Sequence, residues 1–313
     1  MYQEKKYLLK CSIILVVSMF LIDFAVGKMG DVIIQKLPDY SEEISKENFR
    51  LNRVRTDIVI LGSSRGMHHY VSEMLRDSIN NYLKKDYSLY NASMDGHYVN
   101  SNLCAMESIM GRYSPKLVIL DLSEGEFDGW VGTYDIELAA MHYSQNVFVK
   151  KYLDQIGWQE RLKVSSNMFR YNQSAFRILN AFLCKKNEDW GYEPLYGSNV
   201  TAVNSSRLSE EDRIIEQINQ NYLENFIRTI ETANKKMIPL FIVTTPSYNP
   251  SDNNNLLAKL CDSNGIAYLD LYNLDFFNSR PDLFWDKVHL NEDGALLFTR
   301  MLYQQMKHHL IRL

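Results

Sequence analysis

Five short apolar runs, rich in β-branched residues, constrain the fold of this 313-residue chain more than any other feature. Runs of this kind, without polar alternation, are typical of strands buried on both faces, as in a parallel sheet. Helical stretches lie between the runs, so we predict a three-layer, doubly wound α/β fold of the flavodoxin-like type. The predicted strands are residues 57–62, 87–93, 116–122, 239–245 and 266–271, and the helical stretches around them are 71–85, 99–113, 210–236 and 253–264.

One long segment does not follow this alternation. Residues from about 125 to 208 separate the third and fourth predicted strands and contain no clear strand pattern. The segment is rich in aromatic residues and mostly helical in pattern, and its "GYEPLYGSNV" stretch is typical of a loop. We predict a helical insertion at the carboxyl edge of the sheet, inside a domain of residues 54–313.

A long apolar segment precedes this domain. It runs from Tyr7 to Gly27, which is 21 residues, or about 31 Å as a helix, enough to cross a bilayer. Asp23 interrupts it, but near the outer end a carboxylate reaches the lipid headgroups. The sequence therefore predicts either a transmembrane signal anchor or a signal peptide.

The two interpretations differ in whether the segment is removed. A signal anchor stays in the membrane, with Lys5, Lys6 and Lys10 kept in the cytoplasm. A signal peptide is cleaved at a small-residue site such as Ala25-Val26-Gly27. We favour the anchor, because a polar connector, residues 28–53, follows it as a tether would. Both interpretations place the main domain outside the cytoplasm, either in the periplasm or at the cell surface.

Charge and cysteine content exclude several classes of protein. The net charge is −4 without a basic cluster, which argues against nucleic-acid binding, because neutralising phosphates requires clustered Lys and Arg. Cys104, Cys184 and Cys261 are widely spaced and form neither a metal-ligand pattern nor a disulfide framework. We predict no metal site and no organic cofactor.

Polar residues follow the predicted strands where each strand ends. In "DIVILGSSRGMHH", the first strand leads into a glycine and then Ser63 and Ser64. Ser64 is interpreted either as the N-cap of the following helix or as a nucleophile held at a strand-to-helix turn. Ligands bind beyond the carboxyl ends of strands in open parallel sheets, so a site is expected at this edge.

A carboxylate and an imidazole follow the last predicted strand. Asp286 precedes His289 by three residues in "FWDKVHLNEDG". A loop turn at that spacing brings the carboxylate back onto the imidazole, and a hydrolytic serine needs such a base and such a carboxylate. Asn291 is predicted to be the N-cap of the last helix. Ser64, His289 and Asp286 are therefore the predicted catalytic residues.

Three blocks resemble the SGNH/GDSL hydrolase superfamily over residues 55–310. "ILGSSR" resembles its first block and places Ser64 at the nucleophile, "NASMDG" resembles its second, and "DKVHLNEDG" its last, with Asp286 and His289. The resemblance implies that the amide of Gly96 donates to the oxyanion. A signal anchor and a helical insertion together resemble proteins of this superfamily that modify bacterial cell-envelope glycans.

One block departs from that family. Its members usually have a G-x-N-D stretch after the third strand, whose Asn donates to the oxyanion, but this chain has "DLSEGE" there, with Gly125 near the Asn position. Loss of one such donor lowers rates by about 10²–10³. The nearest replacement is Asn91, whose amide either points into the site or braces the turn.

The remaining candidates have structural alternatives. Arg65 is predicted either to bind an anionic substrate group or to form an ion pair, and Tyr248, with Tyr192, either to line a sugar-binding cleft or to pack in the core. A surface role is expected for His68 and His69.

The leading interpretation is a membrane-anchored serine esterase or O-acyltransferase. It would act on ester-linked acyl groups of extracytoplasmic glycans or surface polymers, with an acylated glycan or small ester as substrate and a membrane-bound acyl-transfer protein as a possible partner. The alternative is an inactive scaffold or binding protein of a surface-polymer pathway, which the missing Asn block favours.

Overall fold

A computed structural model describes residues 2–39, 43–128, 133–172, 174–184, 190–200, 218–248 and 255–310. The chain divides into two compact units. One contains Met1–Asn48 and Leu138–Lys186, and the other contains Phe49–Glu137 and Asn187–Leu313. The start of the predicted helical stretch 210–236 and the end of the predicted insertion lie outside the described residues.

All five predicted strands are present in the second unit, and they form one parallel sheet. The strand order β2-β1-β3-β4-β5 confirms the predicted doubly wound fold. β1 and β3 are buried along their whole length, which explains their uninterrupted apolar sequences. The bounds are β1 Ile58–Leu61, β2 Leu89–Asn91, β3 Leu117–Asp121, β4 Leu240–Thr244 and β5 Ala267–Asp270.

Helices cover the sheet in two layers. α4 (Ser72–Leu83) packs against α13 (Glu292–Leu310), and α5 (Val99–Arg112) packs against α10 (Gln220–Lys235). Because side chains alternate along a strand, successive residues face opposite helical layers. The face towards α4 and α13 holds a core cluster that includes Ile58, Ile119, Val243, Phe298 and Leu302. The other helices of this unit are α3 (Ser64–His69), α11 (Asn255–Ser263) and α12 (Asp275–Asn278).

The first unit is helical. α1 (Tyr2–Gln35) extends beyond both ends of the predicted span, and it is long and apolar enough to cross a membrane. Residues 28–53, predicted to be a connector, contain the end of α1 and all of α2 (Glu43–Asn52). The predicted insertion is helical as expected, with a 3-10 segment at Thr133–His142 followed by α6 (Val147–Ile156), α7 (Trp158–Ser165), α8 (Asn167–Asn172) and α9 (Ala175–Leu183).

Candidate active site

Ser64 lies at the turn between β1 and α3. Ser63 is the N-cap residue, with extended backbone geometry and no hydrogen bond from its side chain to the helix. The interpretation of Ser64 as the N-cap is therefore wrong, because Ser64 is the first residue inside α3. Its hydroxyl is instead 2.7 Å from Nε2 of His289.

Two glycines allow this turn to pack closely against neighbouring strands. A Cβ at Gly62 would lie 2.8 Å from Cβ of Asp121, at the end of β3. A Cβ at Gly66 would lie 2.5 Å from Oγ and 2.9 Å from Cβ of Ser93, which follows β2. Such separations are too short for packed atoms, so the position of Ser64 depends on the absence of side chains here.

Gly66→Ala is expected to destabilise the fold by about 1–3 kcal/mol, because the added methyl overpacks a buried contact with Ser93. The matched control is Gly125→Ala, where a Cβ would meet no atom within 4 Å. Urea denaturation of both variants measures the difference. Equal stability of the two would contradict the close packing at Gly66.

Asp286 and His289 form a closed turn. Oδ1 of Asp286 accepts hydrogen bonds from the backbone amides of Val288 and His289, each at 2.8 Å. Nδ1 of His289 is 3.0 Å from both carboxylate oxygens. The D-x-x-H spacing thus folds the carboxylate onto the imidazole as predicted.

The environment of Asp286 favours its ionised form. Burial would raise the pKa of this carboxyl, but the hydrogen bond and electrostatic attraction of the His289 ring and the amides of Val288 and His289 outweigh it and lower the pKa below its ordinary value. A carboxylate on Nδ1 keeps the proton of the neutral ring there and leaves Nε2 as an acceptor. His289 is therefore oriented to accept the proton of the Ser64 hydroxyl.

His68 and His69 are both buried, so the expectation of a surface role is wrong. Nε2 of His69 accepts a hydrogen bond from the backbone amide of Leu290 at 2.9 Å, which links α3 to the loop that carries His289. Burial, followed by the electrostatic effects of His289, Arg65 and His68, lowers the pKa of His69 well below its usual value. The neutral ring therefore serves as a structural acceptor.

His68 connects α3 to the loop after β2. Nδ1 is 2.6 Å from the backbone oxygen of Glu193, and Nε2 is 3.3 Å from a carboxylate oxygen of Asp95. Burial would lower the pKa of His68, but its bonds to Asp95 and Glu193 raise it overall. Both ring nitrogens thus face acceptors, and the charged ring is stabilised between them. Sequence reasoning missed this pair because the partners are distant along the chain.

The loop after β2 turns sharply at Gly96. The amide of His97 donates to the backbone oxygen of Met94 at 3.3 Å, and Gly96 has φ +69° at the third position of this turn. A positive φ is favourable for glycine, which explains the residue type. The predicted oxyanion donor therefore belongs to a turn with a defined shape.

Asn91 braces the turn that carries Ser64. Its Nδ2 donates to the backbone oxygen of Gly66 at 2.8 Å, and its Oδ1 accepts from the amide of Ser93 at 3.1 Å. The side chain is buried and both polar atoms are engaged. Of the two predicted roles, the contacts correspond to the brace and not to the oxyanion donor.

Asn91→Ala is expected to lower the free energy of unfolding by about 1–3 kcal/mol, because the buried oxygen of Gly66 and amide of Ser93 lose their partner. Thermal melting tests this. Wild-type melting together with a large loss of turnover would return Asn91 to the role of oxyanion donor.

Arg65 is buried and paired inside the protein. Its Nη2 is 3.5 Å from Oε1 of Glu126, which also accepts from the amide of Ser123 at 3.3 Å. Burial raises the pKa of nearby Asp121 to about 6, against the opposing effect of Arg65. Of the two predicted roles, the structure corresponds to an ion pair with Glu126 and not to a substrate contact.

Four other residues that the sequence analysis discussed are Gly125, Tyr248, Tyr192 and Asn291. Gly125 is exposed, next to the inward-facing Glu126. Tyr248 packs against the core cluster, with its ring 5.6 Å from that of Phe284, which corresponds to the packing alternative. The hydroxyl of Tyr192 is buried. Asn291 is an N-cap residue as predicted, because its Oδ1 accepts from the amide of Gly294 at 3.0 Å.

The predicted loop at 191–200 runs along the site. Backbone bonds join Glu193 to Met67 of α3, and Asn199 to Trp285, the residue before Asp286. Within the described ranges, no group of three or more His, Cys, Asp and Glu side chains is arranged to hold a metal ion. The site as described therefore consists of the linked residues Ser64, His289 and Asp286 and the turns that hold them.

Comparisons with known proteins give structural likenesses only. No protein-family model matches the chain, and no curated protein matches it. Similar solved structures include an acetyl xylan esterase (13% identity, TM-score 0.41, covering 79% of this chain and 98% of that one). A psychrotrophic esterase from a Pseudoalteromonas species has 12% identity and a TM-score of 0.43, covering 81% of this chain and 97% of that one. A GDSL-like lipase from Bacteroides thetaiotaomicron has 10% identity and a TM-score of 0.40, covering 85% of this chain and 98% of that one.

Proposed function

We propose that this chain is an SGNH-type serine esterase or O-acyltransferase. The observation that carries the proposal is the continuous chain of contacts from Ser64 Oγ to His289 Nε2, and from His289 Nδ1 to Asp286. A nucleophile, a base and a carboxylate that orients the base are the three parts that nucleophilic catalysis on esters requires. All three come from the sheet edge where ligands bind in open α/β folds.

In the first half of the reaction, Oγ of Ser64 attacks the ester carbonyl while Nε2 of His289 takes the hydroxyl proton. Asp286 stabilises the resulting imidazolium. The tetrahedral oxyanion is held by the backbone amides of Ser64 and Gly96. Its collapse breaks the ester C–O bond, and His289 returns the proton to the departing alcohol, which leaves Ser64 acylated.

In the second half, His289 takes a proton from an incoming hydroxyl group, which attacks the acyl-Ser64 carbonyl. Ser64 then leaves and regains its proton from His289. Water as the acceptor gives hydrolysis, and a sugar hydroxyl gives acyl transfer. The two outcomes differ only in which hydroxyl occupies the site.

The proposed substrates are acyl esters of extracytoplasmic glycans or surface polymers. Two features of the N-terminal helix support this: α1 is long and apolar enough to be a membrane anchor, and Lys5, Lys6 and Lys10 lie near its N-terminal end, which favours a cytoplasmic N-terminus. That orientation would place the catalytic unit outside the cytoplasm, beside envelope polymers. A membrane-bound protein that supplies acyl groups is part of the same proposal.

A fluorophosphonate probe tests the proposal on the full-length chain in detergent. We expect covalent labelling at Ser64, and release of acetate from a chromogenic acetyl ester. Adding sugar acceptors and analysing products by mass spectrometry separates transfer from hydrolysis. A folded protein that neither labels nor turns over any ester would support the scaffold alternative instead.

A further inference from the structure

A set of exposed apolar side chains lies on α7, α8 and α9 of the first unit. We call it the interfacial face, and it comprises Trp158, Leu162, Met168, Phe169, Phe176, Leu179, Phe182 and Leu183. Large apolar side chains concentrated in this way on a short stretch of chain mark an interaction surface. The chain's own described residues leave these side chains exposed.

The sequence of α9 has an amphipathic arrangement. Phe176, Leu179 and Leu183 follow the i, i+3, i+7 spacing of one helix face, and they are 78%, 57% and 73% exposed. The other side of the helix is the packed one, because Ala181 and Ile178 belong to a cluster with Ile34 of α1. α9 therefore presents a second apolar stripe away from the protein.

Contacts between α1 and α8 place the start of α8 beside the apolar segment of α1. The carboxylate of Asp23 accepts hydrogen bonds from the amides of Asn167 and Met168, at 3.1 and 2.9 Å, and from the side chains of Asn167 and Ser166, at 2.8 and 2.7 Å. Asp23 thus satisfies free amides at the first turn of α8. The acidic residue inside the apolar segment is explained by this attachment.

Two glycines of α1 let α8 approach closely. A Cβ at Gly27 would overlap the side chain of Asn167, and a Cβ at Gly30 would overlap the ring of Tyr171. The Tyr171 hydroxyl donates to Asp31 at 2.8 Å. α8 therefore runs beside α1, with its N-terminus at the level of Asp23 and its later residues farther along the helix.

These contacts set the depth of α8 relative to the predicted membrane span. Asp23 lies four residues before Gly27, the end of the predicted span, which is about 6 Å along a helix. Amphipathic helices that lie in a bilayer interface bury their apolar face by roughly 5–10 Å. Met168 and Phe169, at the first turn of α8, are therefore at interfacial depth.

We infer that α7–α9 lie in the membrane interface beside the anchor, with the interfacial face in contact with lipid. A bilayer is the occupant that the contacts favour, because the first turn of α8 is bonded to Asp23, and the neighbours of Asp23 on α1, Leu21, Ile22 and Phe24, are apolar and exposed. Its aromatic content, with Trp158 at the start of α7, is typical of the headgroup level. The first unit is then a membrane-seated platform with one spanning helix and three interfacial helices.

The experiment uses the full-length chain in phosphatidylcholine vesicles whose acyl chains carry bromine at defined depths. Bromine quenches tryptophan fluorescence on contact, and subtracting the Trp158→Phe variant isolates the Trp158 emission. We expect Trp158 to be quenched most by lipids brominated near the headgroup and less by deep bromines. The emission of Trp190, isolated in the same way by subtracting the Trp190→Phe variant, provides the control. Trp190 belongs to the second unit, and we expect brominated lipids to leave its emission unchanged.

A second comparison tests the stripe on α9. The double variant Phe176→Gln, Leu179→Gln should lose quenching of Trp158, whereas Arg177→Gln, on the other side of the same helix, should retain it. Trp158 emission that no brominated lipid quenches, in vesicles where the chain is folded and anchored, would overturn the inference. That result would indicate water or a protein partner at this face. The measurement involves no ester, so its outcome is independent of the proposed catalysis.

Discussion

Ser64→Ala is expected to lower kcat/KM for an activated acetyl ester by a factor on the order of 10⁴ or more, because the acyl-enzyme route is lost and only binding and oxyanion stabilisation remain. The hydroxyl is the atom that His289 contacts at 2.7 Å. Covalent labelling by a fluorophosphonate should be abolished in the same variant. Steady-state kinetics on the purified full-length chain measures the loss.

Ser63→Ala is the matched control for this substitution. Ser63 is adjacent and equally small, but its side chain makes no capping bond to α3. We expect it to retain activity within a few-fold and to melt with the wild type. If both serine variants behaved alike, or if Ser64→Ala retained substantial turnover, the nucleophile assignment would be wrong.

Asp286→Asn is expected to lower kcat by roughly 10⁴, since an amide beside Nδ1 allows the imidazole tautomer that cannot accept the serine proton. The substitution keeps the size of the side chain and an oxygen for the amides of Val288 and His289. The loss should therefore appear in kcat with a small change in KM, which is the signature of an interaction made in the transition state.

Asp282→Asn is the control for charge in the same segment, because Asp282 is exposed and pairs with Arg280 on the surface. Asp282→Asn should leave kcat unchanged.

The lowered pKa of Asp286 also predicts how the stability of the folded chain depends on pH. Its ionised carboxylate stabilises the folded chain above about pH 4, and that contribution is lost as pH falls through the lowered pKa. Activity of Asp286→Asn within a few-fold of wild type would refute the role of the carboxylate.

Local sequence patterns were sufficient for the sheet and for the two most compact parts of the site. Apolar runs such as that of β3 predict buried strands because burial on both faces excludes polar residues. The D-x-x-H spacing predicts the turn from Asp286 to His289 because three residues are what the carboxylate needs to reach the ring. The N-cap at Asn291 is equally local.

The roles of Asn91, Arg65 and the histidine pair were beyond such patterns. Asn91 bonds to Gly66 and His68 bonds to Asp95 and Glu193, and these partners are 25 or more residues apart along the chain. A side chain near a site is equally able to contact substrate or to brace a turn. Only the packing of neighbouring elements distinguishes the two.

By itself, the sequence of this protein determined which segments are strands, which apolar stretch is long enough for a membrane, and which residues have the chemistry of a nucleophile, a base and a carboxylate. The tertiary structure decided that Ser64 and His289 meet, that Asn91 braces the turn, and that Asp23 attaches α8 to the anchor. The reason is physical: secondary structure follows from periodicity within a few residues, whereas a hydrogen bond between distant residues exists only after the sheet and helices have placed both partners within about 3 Å.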